Sequence, residues 1–286
     1  MPGTSRARNP RGYEIEFDEA THAYTSLVNG HITPTGAVVV GSGGVAGQDG
    51  EDPCVVVRYT SVTSFVGHFF RPFDAAAASE RVAAKRGVSP AVVRAEWEAN
   101  KIAACTFGTR VHETCEDVLR RRVGPDGRWA FRNRPNGERE RRVFSAAFGA
   151  ASRVAETCDV LGVEQVVFDV DCRLAGTIDC LARSRKTGRL VILDWKTNAR
   201  LDESSPWGGK ALDPISHLDD CAMEHYRLQL AAYEMLLRKA GYISRTEPVE
   251  RVVVHLTEDG PVMHALPCRA VEVRDMLVAM LEQPPF

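Results

Sequence analysis

Leu174–Asp202 reads LAGTIDCLARSRKTGRLVILDWKTNARLD. Two apolar runs in it have strand character, Thr177, Ile178 and Leu181 in the first and Leu190–Leu193 in the second. Arg185-Lys186-Thr187-Gly188 between them has the composition of a tight turn. A two-residue loop centred between Lys186 and Thr187 puts Asp179 directly opposite Asp194. A bulge at Gly188 instead shifts the register by one and leaves them diagonal neighbours. Lys196 follows Asp194 by two positions and shares its face. Opposed carboxylates destabilise a sheet. A divalent cation between them offsets the repulsion, and such oxygen donors suit Mg2+ or Mn2+.

Outward from this hairpin the chain alternates strands and helices. Tyr13–Leu27 predicts a hairpin turning at Asp18-Glu19-Ala20-Thr21, and the Gly-rich residues 30–52 predict a loop. Val55–Tyr59 predicts a strand, and Ser61-Val62-Thr63 opens a helical stretch. Helices are expected over Asp74–Arg86, over Pro90–Ala104 with Ser89 as N-cap, and from Gly108-Thr109 to about Arg122. A basic loop follows, then a periodic helix over Val143–Leu161 and a strand over Val163–Cys172. Beyond the acidic hairpin, Trp207–Leu218 reads as loop and Asp219–Ala240 as a long helix. Strands at Val249–Thr257 and Val262–Leu266 precede a closing helix, Ala270–Glu282. A small mixed sheet with helices before and after it makes the expected class α/β (α+β).

At 286 residues, 44% hydrophobic and 26% charged, the composition is that of a soluble globular protein, with a net charge of only −2. The charge is uneven: Arg120–Arg142 holds nine arginines against Asp126, Glu138 and Glu140. Such a block is either a solvated loop or a track for a phosphate backbone. The eight cysteines include no C-x-x-C pair, which argues against a zinc ribbon, and most sit among apolar residues as reduced thiols. No apolar run approaches the roughly 18 residues of a membrane span. The expected setting is an intracellular, reducing compartment, cytoplasm or nucleus. Residues 1–11 are basic and free of acids, as in a transit peptide, yet their Pro and Gly oppose an amphipathic helix. Mitochondrial targeting and a viral origin stay open.

Three further constellations carry chemistry. His112 and Glu116 are four apart and share a helix face, as a surface pair or as a metal ligand with a helper carboxylate. The H-E-x-x-E they belong to lacks the second histidine of a zinc peptidase. Glu164 alternates with Val166 and Phe168, so it either lies at an exposed strand end or sits on an apolar face that requires a partner or a metal. Gln229 and Tyr233 are one helical turn apart, ordinary amphipathic decoration unless they meet the acidic hairpin.

The ordered series Gly108-Thr109-Arg110-Val111-His112 with Glu116, then Glu164, Gly176-Thr177-Ile178-Asp179, Asp194-Trp195-Lys196-Thr197 and Gln229 with Tyr233 resembles the RecB-type branch of the PD-(D/E)XK nuclease superfamily. It covers roughly Phe107–Tyr233, and His22-Ala23-Tyr24 and Ser61-Val62-Thr63 resemble the opening of its single-strand-acting members, such as the mitochondrial genome maintenance exonuclease. The proline of the motif's name is Ile178 here.

The resemblance implies a restriction-endonuclease-like core over 107–286, including basic loop 120–142, with an N-terminal hairpin, Gly-rich loop and helical region over 1–106. It implies a Mg2+- or Mn2+-dependent deoxyribonuclease with Asp179, Asp194 and the Trp195 carbonyl at the metal. His112, Glu164 and Glu116 would be further ligands or helpers. Lys196 would act on the attacking water, with Gln229 and Tyr233 holding it and the nucleic-acid backbone. Thr197, Asn198, Arg120, Arg121 and Arg122 are the candidate DNA contacts. Exonuclease action on single strands or DNA ends, in repair, replication or recombination, is the expected activity. A structure-specific endonuclease or resolvase and an inactive DNA-binding fold are the alternatives. Some members carry an iron–sulfur cluster held by one cysteine before the nuclease motifs and three after them; only Cys268 follows Tyr233, so none is expected.

Overall fold

The computed structural model describes residues 4–18, 21, 23–32, 38–40, 54–124 and 126–282. The elements are β1 (Thr4–Arg8), β2 (Glu14–Asp18), β3 (Ala23–Ile32), β4 (Val38–Val40), β5 (Cys54–Ser61), α1 (Val62–His68), α2 (Ala75–Arg86), α3 (Pro90–Leu119) and α4 (Gly137–Thr157). They continue with β6 (Cys158–Asp169), β7 (Leu174–Ser184), β8 (Leu190–Lys196), α5 (Ala222–Lys239), β9 (Val249–Thr257), β10 (Gly260–Leu266) and α6 (Ala270–Glu282). Among the described residues these ten strands form one mixed sheet in the order β1-β2-β3-β5-β7-β8-β9-β10, with β4 beside β3 and β6 beside β7. The pairs β5/β7 and β8/β9 are parallel and the others antiparallel.

Two cores sandwich the central strands. Leu190 and Ile192 of β8 point into one with α1, α5 and α6; Val191, Leu193 and Trp195 point into the other with α3 and α4. The alternation is the period of two that a strand buried on both faces requires. A third cluster, with Ile15, Tyr24, Tyr59 and Phe168, joins the N-terminal strands to the end of β6.

Most expected elements are present, and three differ. The helices expected over Pro90–Ala104 and from Gly108 are one helix, α3, and Gly108 lies within it. A Cβ there would meet Thr197 Oγ1 at 3.3 Å, so this glycine serves a close approach and not a break. Helix α4 starts at Gly137, inside the basic segment, where Glu138 and Glu140 favour its N-terminal end. It stops at Thr157, because Cys158–Val160 pair with Ala182–Ser184 and Val160 and Leu161 belong to a strand. Within residues 30–52, β3 runs on to Ile32 and pairs with β4; residues 33–37 and 41–52 lie outside the described residues, as does His22. Residues 4–8 of the basic start form the edge strand β1, and Arg11 bonds Asp169 at 3.1 Å and Asp171 at 2.8 Å.

Candidate active site

Strand β7 has two edges. β6 takes one along nearly its whole length. The other is shared by β5, pairing at Leu174 and Ala175, and β8, pairing from Cys180 to Arg183. Among the described residues no strand pairs with Gly176–Asp179 along that edge. The turn Arg185–Gly188 is four residues long, with Gly188 at φ +69° and Ser184 N–H donating to Arg189 O at 2.9 Å. It is centred where the shorter loop was expected, so the register is the one that aims Asp179 at Asp194. The ladder ends one step short of them, at Cys180–Leu193.

Asp179 fills the break. Its Oδ2 accepts the Trp195 backbone N–H at 2.8 Å, which would otherwise lack a ladder partner on that side. His112, from α3, brings Nδ1 to 3.3 Å from the same oxygen. Glu164 stands across β6/β7 from Asp179, between the pairs Val163–Cys180 and Gln165–Ile178. Its φ of +52° is rare for a residue with a side chain and costs on the order of 1–3 kcal/mol. Ligand atoms of His112, Glu164 and Asp179 all lie within 4.8 Å of one another.

The electrostatics show a site short of positive charge. Burial, then the neighbouring Asp179 and Glu116, push the Glu164 carboxyl up to about 8. Burial, then Asp194, push Asp179 up to about 6, against the opposing pull of His112 and Lys196. One imidazole nitrogen with crowded carboxylate oxygens is a donor set that a hard divalent cation fits.

The second half of the site hangs on Asp194, which is 3% exposed. Lys196 Nζ lies 2.5 Å from its Oδ2 and 4.5 Å from the centre of the Tyr226 ring. Burial alone would favour the neutral amine, but Asp194 and Asp179 more than offset it, and the Lys196 pKa is raised. Gln229 Nε2 donates to Asp194 Oδ1 at 3.3 Å and to Tyr233 Oη at 3.1 Å. The sequence motifs on α5 and β8 therefore meet. Trp195 presents its backbone here while its indole is buried in the opposite core.

The remaining candidates lie around this centre. Thr197 packs on Gly108, and Asn198 Oδ1 accepts from Tyr226 Oη at 2.9 Å. Tyr24 Oη and Thr177 Oγ1 share a hydrogen bond of 2.9 Å. Glu116 lies outside the converging triad; Arg120, at 2.7 Å, and Arg132 hold it. Arg120 also donates to Val163 O at 3.0 Å, and Arg122 pairs with buried Asp117 at 3.3 Å. Arg121 takes a positive φ of 49° between them.

Two residues of the site escaped the sequence reading. Tyr226 is three before Gln229, on the same helix face, which is a usable signal. His255 faces Lys196 in the β8/β9 register and holds the Asn198 carbonyl at 2.6 Å, and a parallel pairing between distant segments leaves no local trace. Among the described residues no helix is long and apolar enough to cross a membrane.

No curated protein matches the chain as a relative. The family model of the PD-(D/E)XK nuclease superfamily matches residues 86–282, from the end of α2 through α6, and so takes in every strand and helix of the site except β3 and β5. With that span covered, the chain belongs to the PD-(D/E)XK nuclease superfamily.

Proposed function

We propose that this nuclease is a Mg2+- or Mn2+-dependent deoxyribonuclease of the RecB-type branch, acting as an exonuclease on single strands or DNA ends in repair, replication or recombination. One observation carries the reading: ligand atoms of His112, Glu164 and Asp179 converge within 4.8 Å beside a lysine ion-paired to Asp194. Asp179, Glu164 and His112 would hold the metal, with Asp194 and the Trp195 carbonyl beside them. When bound, the metal supplies a Lewis acid for the phosphodiester and lowers the pKa of a water.

The chain's own residues do the rest. Lys196, held as an ammonium, orients the attacking water and offsets negative charge on the phosphorane-like transition state. Gln229 fixes Asp194, and Asp194 fixes Lys196. Tyr233 fixes Gln229 in turn. Thr197 and Asn198, just after β8, would meet phosphates. In the proposed division, 107–286 is the nuclease core and 1–106 adds the hairpin and helical region; α3 runs through the boundary, so the two parts share a helix.

The test is cleavage of 5′-labelled and 3′-labelled DNA single strands and duplexes with Mg2+, Mn2+ or EDTA, wild type beside Lys196→Ala. Metal-dependent products lost in the variant are expected, and the two labels give direction and strand preference. Binding with no product under any metal would overturn the reading in favour of an inactive DNA-binding fold.

A further inference from the structure

A cleft of about 410 Å3 is lined by Trp207, Asp202, Asp220, His225 and Tyr226, whose ring carries Lys196. That volume is in the range of small-molecule sites, about 300–1,000 Å3. Trp207 is 93% exposed. It sits in the turn Ser205–Gly208, which Gly208 N–H closes on Ser205 O at 3.3 Å with Gly208 at φ +68°. The turn is anchored: Ser205 Oγ accepts from Gly209 N–H at 2.8 Å, and Gly209 O accepts from Asp220 N–H at 2.9 Å. His225 is equally fixed, 3.0 Å from Asp220 and stacked on Phe70 with ring centres 3.8 Å apart.

A large indole held in water on an anchored turn is a preformed stacking surface. The carboxylates of Asp202 and Asp220 in the lining repel a phosphate but can accept from the amino groups of a base edge. Tyr226 ties the cleft to the reacting centre, since the same ring carries Lys196 and lines the cleft.

We propose that this cleft receives one unpaired nucleobase adjacent to the phosphodiester being cut, stacked on Trp207. The inference rests on the nuclease reading and gives it a physical source of single-strand preference: a base must leave its duplex stack to enter. Trp207 is a binding residue here and not a catalytic one.

Trp207→Ala and Trp207→Phe test it, with three substrates: a single-stranded oligodeoxynucleotide, the same strand made abasic at each position in turn, and bis(p-nitrophenyl) phosphate, which has no base. Trp207→Ala should raise KM on the intact strand about five- to a hundredfold, with Trp207→Phe near wild type. The difference between wild type and Trp207→Ala should vanish on one abasic strand, and hydrolysis of the small diester should not change. Equal KM values on the intact strand overturn the proposal. So does a Trp207→Ala defect that persists on every abasic strand, which would make the indole a fold or protein contact. Quenching of tryptophan fluorescence by the strand in EDTA, seen in wild type and lost in Trp207→Phe, reads the cleft without turnover. Quenching by an otherwise inactive wild type would sink the nuclease reading alone, and its absence would sink the cleft.

Discussion

Gly176 lies under the ring of Tyr233: a Cβ at that position would stand 2.6 Å from Tyr233 Cε1 and 3.2 Å from Val62 Cγ2. The glycine of the Gly176-Thr177-Ile178-Asp179 stretch is there to let α5 approach β7, so that Gln229 reaches Asp194. Gly176→Ala should cost about 1–3 kcal/mol by overpacking and displace Tyr233. Urea denaturation of the single variant and of Gly176→Ala in a Tyr233→Ala background measures the coupling. Equal costs in both backgrounds would show that the ring is not what the methyl meets.

The raised carboxyls set a pH dependence for the metal-free protein. Glu164 titrates near 8 in the fold against an ordinary 4.5, and Asp179 near 6 against 3.8. An acid whose folded pKa is raised contributes stability that is fully present below its unfolded value and lost as pH climbs through the folded one. In EDTA, stability should therefore fall as pH rises from about 4 to about 8. Glu164→Gln should flatten the upper part of that fall. Mg2+ or Mn2+ should reverse it and release protons at neutral pH, which titration calorimetry in two buffers of different ionisation enthalpy detects.

The acidic hairpin was legible because its information is local: a turn centre fixes a register, and Cys180–Leu193 is the pair that register demands. What stayed hidden is where the ladder stops. That depends on β5 taking the Leu174–Ala175 end of the same edge, a parallel contact made from more than a hundred residues upstream. Gly108 misled for a related reason. A glycine in a helical pattern signals a break only until the Thr197 that needs its space is known.

The basic segment behaves as a staple in its first half. Asp117 is fully buried and accepts from Arg132 N–H at 2.9 Å and Arg132 Nε at 2.8 Å, with Arg122 at 3.3 Å. Asp117→Asn should cost about 1–3 kcal/mol and open residues 120–136 to limited trypsin digestion. Glu138→Gln, which loses exposed pairs with Arg141 and Arg142 and a charge at the start of α4, should change stability by less than about 1 kcal/mol. Equal protection of the loop in the two variants would mean that the α3 contacts do not hold it.

Lys196 separates two chemical roles. In the metal-free protein its pKa lies above the ordinary 10.5, because Asp194 and Asp179 outweigh the burial of the amine, and there it is a cation at neutral pH. An ammonium that stabilises transition-state charge should, when replaced in Lys196→Gln, cost about a hundred- to a thousandfold in kcat with little change in KM. The same change leaves Asp194 buried without its ion pair, and metal-free stability should drop by about 3–5 kcal/mol. Bound Mg2+ should recover part of that stability and none of the rate. The pH profile decides between the roles. A cationic Lys196 gives a kcat that does not rise toward 10.5 on its account, whereas a rising limb present in wild type and absent in Lys196→Gln would make the lysine a general base.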